Sequence, residues 1–180
     1  MRKIVLSLVL IVSFTASMFL LNSCIIKDTD ESIAKGKRDQ LISAIQNEDR
    51  AAIKALFASN KIADIENFDE SIDELLAYYE GDYVSSYSGG LETRDSKNNG
   101  HVFKYYSMSY DVTTTVSVYR IALLWYVTDT ANVGNVGIWS LYILNKEDDT
   151  NQEYSYWGDG TRSPGIHIAT PRPASSEDTE

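Results

Sequence analysis

The apolar positions of this chain change period part-way along it, and that change sets its organisation. Between residues 32 and 80 they recur at helical spacing. Leu41, Ala44 and Ile45 share one stripe, Ala52, Ile53, Leu56 and Phe57 a second, and Ile72, Leu75, Leu76 and Tyr79 a third. Asn47-Glu48-Asp49 interrupts the first two stripes. Asp49 can cap a new helix by accepting from free backbone N–H groups, so this region reads as two helices or as one with a kink. Residues 59–67 read as a connector. The third helix, about 69–80, opens on Asp69, Glu70, Asp73 and Glu74, where the helix dipole favours negative charge. It runs into Gly81, which takes a left-handed C′ conformation easily.

Beyond Gly81 the period falls to two. Runs rich in Tyr, Val, Ile, Thr and Trp predict strands over 83–94, 102–112, 117–129 and 136–146, with an interruption or bulge at Gly89-Gly90 and a turn at Lys97-Asn98-Asn99-Gly100, whose Asn-Gly signals a hairpin. Matching apolar partners predicts the register. With Val112 opposite Ser117, Tyr110 faces Tyr119, Met108 faces Ile121 and Tyr106 faces Leu123. With Trp125 opposite Trp139, Leu123 meets Leu141 and Ile121 meets Ile143. A one-residue slip would scramble this apolar face, which is assigned to the helices. The other face carries Phe103, Tyr105, Asp111, Arg120, Tyr126 and Tyr142, with Asp111 and Arg120 as diagonal neighbours able to pair. It reads either as a homodimer surface, where Tyr and Arg are enriched, or as a solvated outer face. Further short strands are expected over 154–157 and 165–168. The expected class is α+β: N-terminal helices packed on an antiparallel sheet, which the resemblance given below implies to be strongly curved.

The start of the chain follows neither period. Arg2 and Lys3 precede an apolar run from Ile4 to Leu21, which ends in Leu21-Asn22-Ser23-Cys24. A basic head, an apolar middle and a small residue describe a secretory signal. A run of this length can also span a bilayer as a retained helix. The sole cysteine stands directly after the small residue, and the stretch resembles a bacterial lipobox, in which Asn22 is a less usual residue. That resemblance implies cleavage before Cys24 and a diacylglyceryl group on its thiol. Its acyl chains, of the palmitate kind, would hold the protein on the extracytoplasmic face of the cell membrane, since stable anchoring needs more than one chain. Residues 1–23 are then the signal, 24–31 a polar tether and 32–168 the folded domain. Residues 169–180 form an acidic tail with the composition of a disordered segment.

The 180 residues carry a formal net charge of −10, and loss of Arg2 and Lys3 leaves the remainder more acidic still. This argues against nucleic acid as a partner and against docking on anionic lipid heads. A single cysteine forms no intramolecular disulfide.

Candidate chemistry is sparse. His101 and Asp111 share a strand parity, but ten residues of strand separate them by about 34 Å. His167, between two isoleucines, reads as a pocket acid–base residue or as a sheet-surface histidine, and no carboxylate has a fixed sequence relation to it. The run from Asp148 to Glu153 lacks the sixth-position glycine and the distal glutamate of a calcium loop. The two histidines lack metal-ligand spacing. No catalytic residue, metal ligand or cofactor is therefore assigned. The richest feature is aromatic: Tyr106, Tyr110, Tyr119, Trp125 and Trp139 on the predicted inner face. They read as the lining of a pocket for an apolar or ring-shaped ligand, or as solid core.

Three stretches carry a family likeness: Asn67-Phe68-Asp69-Glu70-Ser71-Ile72-Asp73-Glu74-Leu75, Tyr110-Asp111-Val112-Thr113-Thr114, and Pro164-Gly165-Ile166-His167-Ile168. On these the chain is similar to a family of uncharacterised lipoproteins from Gram-positive bacteria. Helices followed by long strands also resemble the cone-shaped fold of the nuclear transport factor two-like superfamily. The likeness spans about residues 32–168 and implies a fold and an address. That superfamily holds ketosteroid isomerases, dehydratases and epoxide hydrolases alongside many non-catalytic binding domains, so fold alone does not choose. The expectation is a lipid-anchored extracytoplasmic binding domain. The alternatives are an isomerase- or dehydratase-like enzyme and a structural or immunity-type surface protein.

Overall fold

The computed structural model describes residues 29–151, 153–154 and 162–169. Cys24 with its lipobox, the stretch Gly158-Asp159-Gly160, whose composition reads as a turn, and the tail from 170 onward lie outside them. Of the short strand expected over 154–157, only Tyr154 is described.

Four helices precede the sheet: α1 (Asp30–Gln46), α2 (Arg50–Leu56), the single turn α3 (Ser59–Ile62) and α4 (Phe68–Tyr78). α1 begins two residues inside the expected tether, because the Thr29 hydroxyl accepts from the Ser32 N–H at 3.2 Å and caps it. The break between α1 and α2 falls at the polar triplet. Glu48 turns with φ 50° and the Asp49 carboxylate accepts from the Ala52 N–H at 2.9 Å. α4 closes at Tyr79, two residues before Gly81.

The strands β1 (Tyr83–Asn98), β2 (His101–Thr114), β3 (Val118–Asp129), β4 (Gly137–Asn145) and β5 (Gly165–Ile168) form one open sheet in sequence order. Asn99 and Gly100 take φ 48° and 83° and close the β1–β2 hairpin in two residues, and β1 is bulged between Ser88 and Gly90. The expected all-antiparallel sheet is corrected at its far end, where β5 runs parallel to β4. Parallel neighbours need a crossover of a dozen or more residues, and the stretch between Asn145 and Gly165 is long enough to supply one. At the other end, among the described residues, β1 pairs only with β2, and it is exposed along almost its whole length.

The predicted β2–β3 register is displaced by two residues. Tyr110 faces Ile121, Met108 faces Leu123 and Tyr106 faces Trp125. The cause is a tighter turn than expected. Thr114 N–H donates to the Ser117 carbonyl at 2.8 Å, and the Thr114 hydroxyl accepts from the N–H groups of Val116 and Ser117. A shift of two preserves parity, so the same side chains still face the helices. Between β3 and β4 the pairs Leu123–Leu141 and Ile121–Ile143 form as expected, but an irregularity after Leu124 puts Ile138, not Trp139, opposite Trp125. Here the chain after α2 meets the sheet, with Ala58 N–H donating to the Ile138 carbonyl at 2.9 Å. Gly137, at φ 135°, makes room for it: a Cβ there would lie 2.5 Å from the Ala58 nitrogen.

The core sits between helices and sheet. Leu41, Ile45, Ile53, Ile72 and Leu75 pack against Tyr106, Val112, Ile121, Leu123 and Ile143, each side chain contributing about 1.5–3 kcal/mol on burial. On the opposite face Ala122, Leu124, Tyr142 and Leu144 are buried as well, so that side is not simply solvated. The Tyr142 ring stacks on His167 at 4.2 Å, and its oxygen accepts from the Ser163 N–H at 3.0 Å.

Candidate functional site: a groove between the first helix and the sheet edge

α1 turns Ala34, Arg38 and Leu41 toward the sheet at three-and-four spacing. Arg38 thus occupies a position that periodicity reserves for an apolar residue, and its side chain is only 13% exposed. Its Nε and Nη2 donate to one oxygen of Asp39 at 3.0 and 2.9 Å, while Lys35 Nζ donates to the other at 2.6 Å. Burial opposes charge on Asp39, but the hydrogen bonds from Lys35 and Arg38 outweigh it and hold the carboxyl below its usual range.

Facing this helix is the β1 bulge between Ser88 and Gly90. Between helix and bulge lies a cavity of about 400 Å³, lined by Glu31, Ala34, Lys35, Arg38, Ser86, Ser88, Gly90, Leu91, Met108, Ser109 and Tyr110. A second depression of about 540 Å³ shares Lys35, Arg38 and Ser86 and continues along α1 to Gln46. Both volumes are in the range of small-molecule sites.

Tyr110 is the unusual group in this groove. It is 2% exposed, and its buried hydroxyl finds no hydrogen-bond partner among the described residues. Burial keeps the phenol protonated far above its ordinary range, with Arg38 close enough to pull the other way. An unpaired buried hydroxyl costs about 1–3 kcal/mol. Tyr79 repeats the pattern elsewhere in the core, its hydroxyl also unpartnered among the described residues and its phenol pushed up to about 12 by burial.

Residues 40–146 match a protein family described as Domain of unknown function (DUF5104). The chain belongs to this family. No curated protein matches it. The DUF5104 span includes Gly90, Met108 and Tyr110 on the floor of the groove, whereas Lys35 and Arg38 on its helical wall precede the matched residues.

The five aromatics singled out in the sequence do not converge on one cavity in this DUF5104 domain. Tyr106 is fully buried and donates to Asp30 Oδ1 at 3.0 Å, which also accepts from Lys104 Nζ at 2.6 Å. Tyr119 donates to the Tyr78 carbonyl at 3.1 Å and accepts from the Glu80 N–H at 2.9 Å, its ring stacked on Tyr79. Trp125 is buried beneath Lys37 Nζ at 4.7 Å. Trp139 is half-buried and displaced from this row by the irregularity in β4. Tyr110 alone of the five lines the groove. Sequence reasoning missed Arg38, and the available signal was a charged residue on the apolar stripe of α1.

Asp111 and Arg120 stand directly opposite each other rather than diagonally, a consequence of the two-residue register change. Lys146 and Asp149, which the sequence did not single out, join them. Arg120 Nη1 reaches Asp149 at 2.7 Å, and Lys146 Nζ lies 3.2 Å from Asp149 and 3.4 Å from Asp111. His101 is exposed at the hairpin end. His167 Nε2 lies 3.1 Å from the Ser163 carbonyl, and burial holds its imidazole below the ordinary range despite the opposing backbone hydrogen bonds. Among the described residues no cluster of His, Cys, Asp and Glu could hold a metal ion, and no helix is long and apolar enough to cross a membrane.

Proposed function

We propose that this DUF5104 protein is a lipid-anchored, extracytoplasmic binding domain that holds a small ligand in the groove between α1 and the β1–β2 hairpin. One observation carries the binding role: a cavity of about 400 Å³ lies between helix and hairpin, walled by Lys35 and Arg38 and floored by Leu91 and Met108. That volume and its mix of apolar floor and charged wall suit a small molecule. The lipobox-like Leu21-Asn22-Ser23-Cys24 after a basic and apolar start supports the anchor, and the acidic balance of the chain suits an aqueous surface. Helices followed by one sheet, with the core between them, support the nuclear transport factor two-like cone.

Binding is favoured over isomerase- or dehydratase-like chemistry by what borders the groove. Proton transfer needs an acid–base side chain within reach of substrate. Here the Asp39 carboxylate is tied to Lys35 and Arg38, Glu31 is exposed to solvent, and His101 and His167 both lie elsewhere in the fold.

The test is native mass spectrometry of the full chain purified from its host's membranes, beside a Ser88→Leu variant, whose side chain stands on the Tyr110 side of the sheet and crowds the groove. The expected result is a chain beginning at an acylated Cys24 and a bound small molecule that the variant lacks. An unacylated chain that keeps its first methionine overturns the anchor. A wild type and variant with the same complement of bound molecules overturn the groove.

A further inference from the structure

We infer that this domain lays the hairpin end of its sheet on the lipid headgroup layer, with Phe103, Tyr105, Tyr126 and Val133 as the interfacial contacts. This deepens the anchor proposed above and rests on it. The leash is short. Five residue steps separate Cys24 from Thr29, the cap of α1, at most about 17 Å of fully extended chain. α1 begins at one definite end of the sheet. The Asp30 carboxylate accepts at 2.6 Å from Nζ of Lys104, the neighbour of Phe103 near the start of β2. The β1–β2 turn and the β3–β4 loop share that end, tied by Thr130 N–H donating to the Val102 carbonyl at 2.9 Å. The other end, at the β2–β3 turn, lies fourteen residues of β2 away, about 46 Å at 3.3 Å per residue. A lipid on Cys24 thus brings the hairpin end to the bilayer, and the leash is too short for the domain to stand on its other end.

The side chains at the tethered end suit a headgroup layer. Val133 is 79% exposed and Phe103 37%. The Phe103 ring lies parallel to Tyr105, and Tyr105 meets Tyr126 of β3 at 5.3 Å, all three on the sheet face turned from the helices. A tyrosine ring is apolar with a polar tip, which is why tyrosine collects at membrane–water interfaces. The far end also exposes Tyr83 and Val116, so exposure alone does not choose between the ends. Charge does. Around Phe103 and Tyr105 the charges balance, Arg94, Lys97 and Lys104 against Asp30, Asp95 and Asp129. At the far end Glu80, Glu147 and Asp148 border one depression with Val116, and no cation lines it among the described residues. An anionic lipid surface repels that end.

Cys24 is the sole cysteine of the chain, and acylation consumes its thiol, so an added cysteine can be labelled alone. Val133→Cys, His101→Cys and Val116→Cys, each carrying a fluorophore, are compared on the acylated full chain. The membrane is a phosphatidylcholine nanodisc, with or without a nitroxide on the lipid headgroup. Labels at 133 and 101 should be quenched at least about threefold more than the label at 116, as headgroup-depth residence requires. Equal quenching at the two ends, or more at 116, overturns the inference. A second arm separates contact from leash. Adding Phe103→Ser and Val133→Ser to the His101→Cys protein should cut quenching about twofold while the acyl mass stays unchanged, because the apolar grip is gone. Quenching that does not move would remove these side chains as the contact. Val133→Ser alone alters one exposed side chain and gives the same readout if the pair fails to fold. An unacylated chain, seen by intact mass, sinks the anchor itself, whereas an acylated chain quenched equally at both ends sinks only the orientation.

Discussion

Arg120 grips Asp111 from directly across the β2–β3 ladder, with Nε at 2.7 Å and Nη2 at 3.1 Å from the two carboxylate oxygens. Its third nitrogen holds Asp149, so one guanidinium joins a strand to the short 3₁₀ turn after β4. All three side chains are mostly buried, at 26%, 21% and 19% exposure. Replacing Arg120 by Met removes the forked contact and leaves Lys146 beside both carboxylates. The expected loss is about 1–3 kcal/mol in urea unfolding. Arg120→Lys should recover less than half of it, because a point charge cannot reproduce the forked contact. Full recovery by Lys would show that charge, not geometry, is what this site uses.

The pH dependence near neutrality is expected to follow His167. Burial lowers its pKa in the folded chain, so the unfolded chain takes up a proton first as pH falls. Stability should therefore be full above about pH 6.5, the unfolded value, and decline as pH drops through the folded one. His167→Phe keeps a ring to stack on Tyr142 and cannot titrate. Thermal melting from pH 7.5 to 5 should fall more steeply for the wild type than for this variant; parallel curves would remove His167 as the cause.

A second transition is expected at acid pH. Hydrogen bonds from Lys104 and Tyr106 hold the Asp30 carboxyl below its usual range. Asp39 and Asp129 are also held low. Their contribution is present above about pH 4 and is lost as pH falls through the lowered folded values. Asp30→Asn should flatten the acid limb of a stability profile and loosen the start of α1, read as faster amide exchange there. Unchanged exchange at residues 30–34 would mean that Thr29 capping alone secures the helix.

Two glycines should respond in opposite directions to the same change. Gly137 lies at φ 135° against the Ala58 backbone, so Gly137→Ala should lower stability by about 2–3 kcal/mol. Gly36 is an exposed position within α1 with open space around it, so Gly36→Ala should raise stability by about 0.5–1 kcal/mol. Denaturant midpoints measure both, and a shift of the same sign would contradict the local geometry.

Periodicity exposed the helices, the strands and the buried face, because each follows from where apolar side chains recur. It could not fix the β2–β3 register, since a two-residue slip preserves parity and differs only in how Thr114 closes its turn. The β4 irregularity was hidden for another reason: it is imposed by Ala58, which is remote in sequence. The groove was the least legible part. Arg38 reads as a surface charge until α1 is laid on the sheet, and a tyrosine hydroxyl without a partner leaves no trace in composition.

β1 ends the sheet with fourteen of its sixteen residues exposed, and among the described residues no strand pairs along its outer side. A bare edge of that length is an invitation to stack copy upon copy into fibrils. Glu92, Arg94, Asp95 and Lys97 crowd its far half, and the Gly89 bulge breaks its straightness. These features act as guards against self-assembly, and neutralising the four charges would turn a soluble edge into a seed for aggregates.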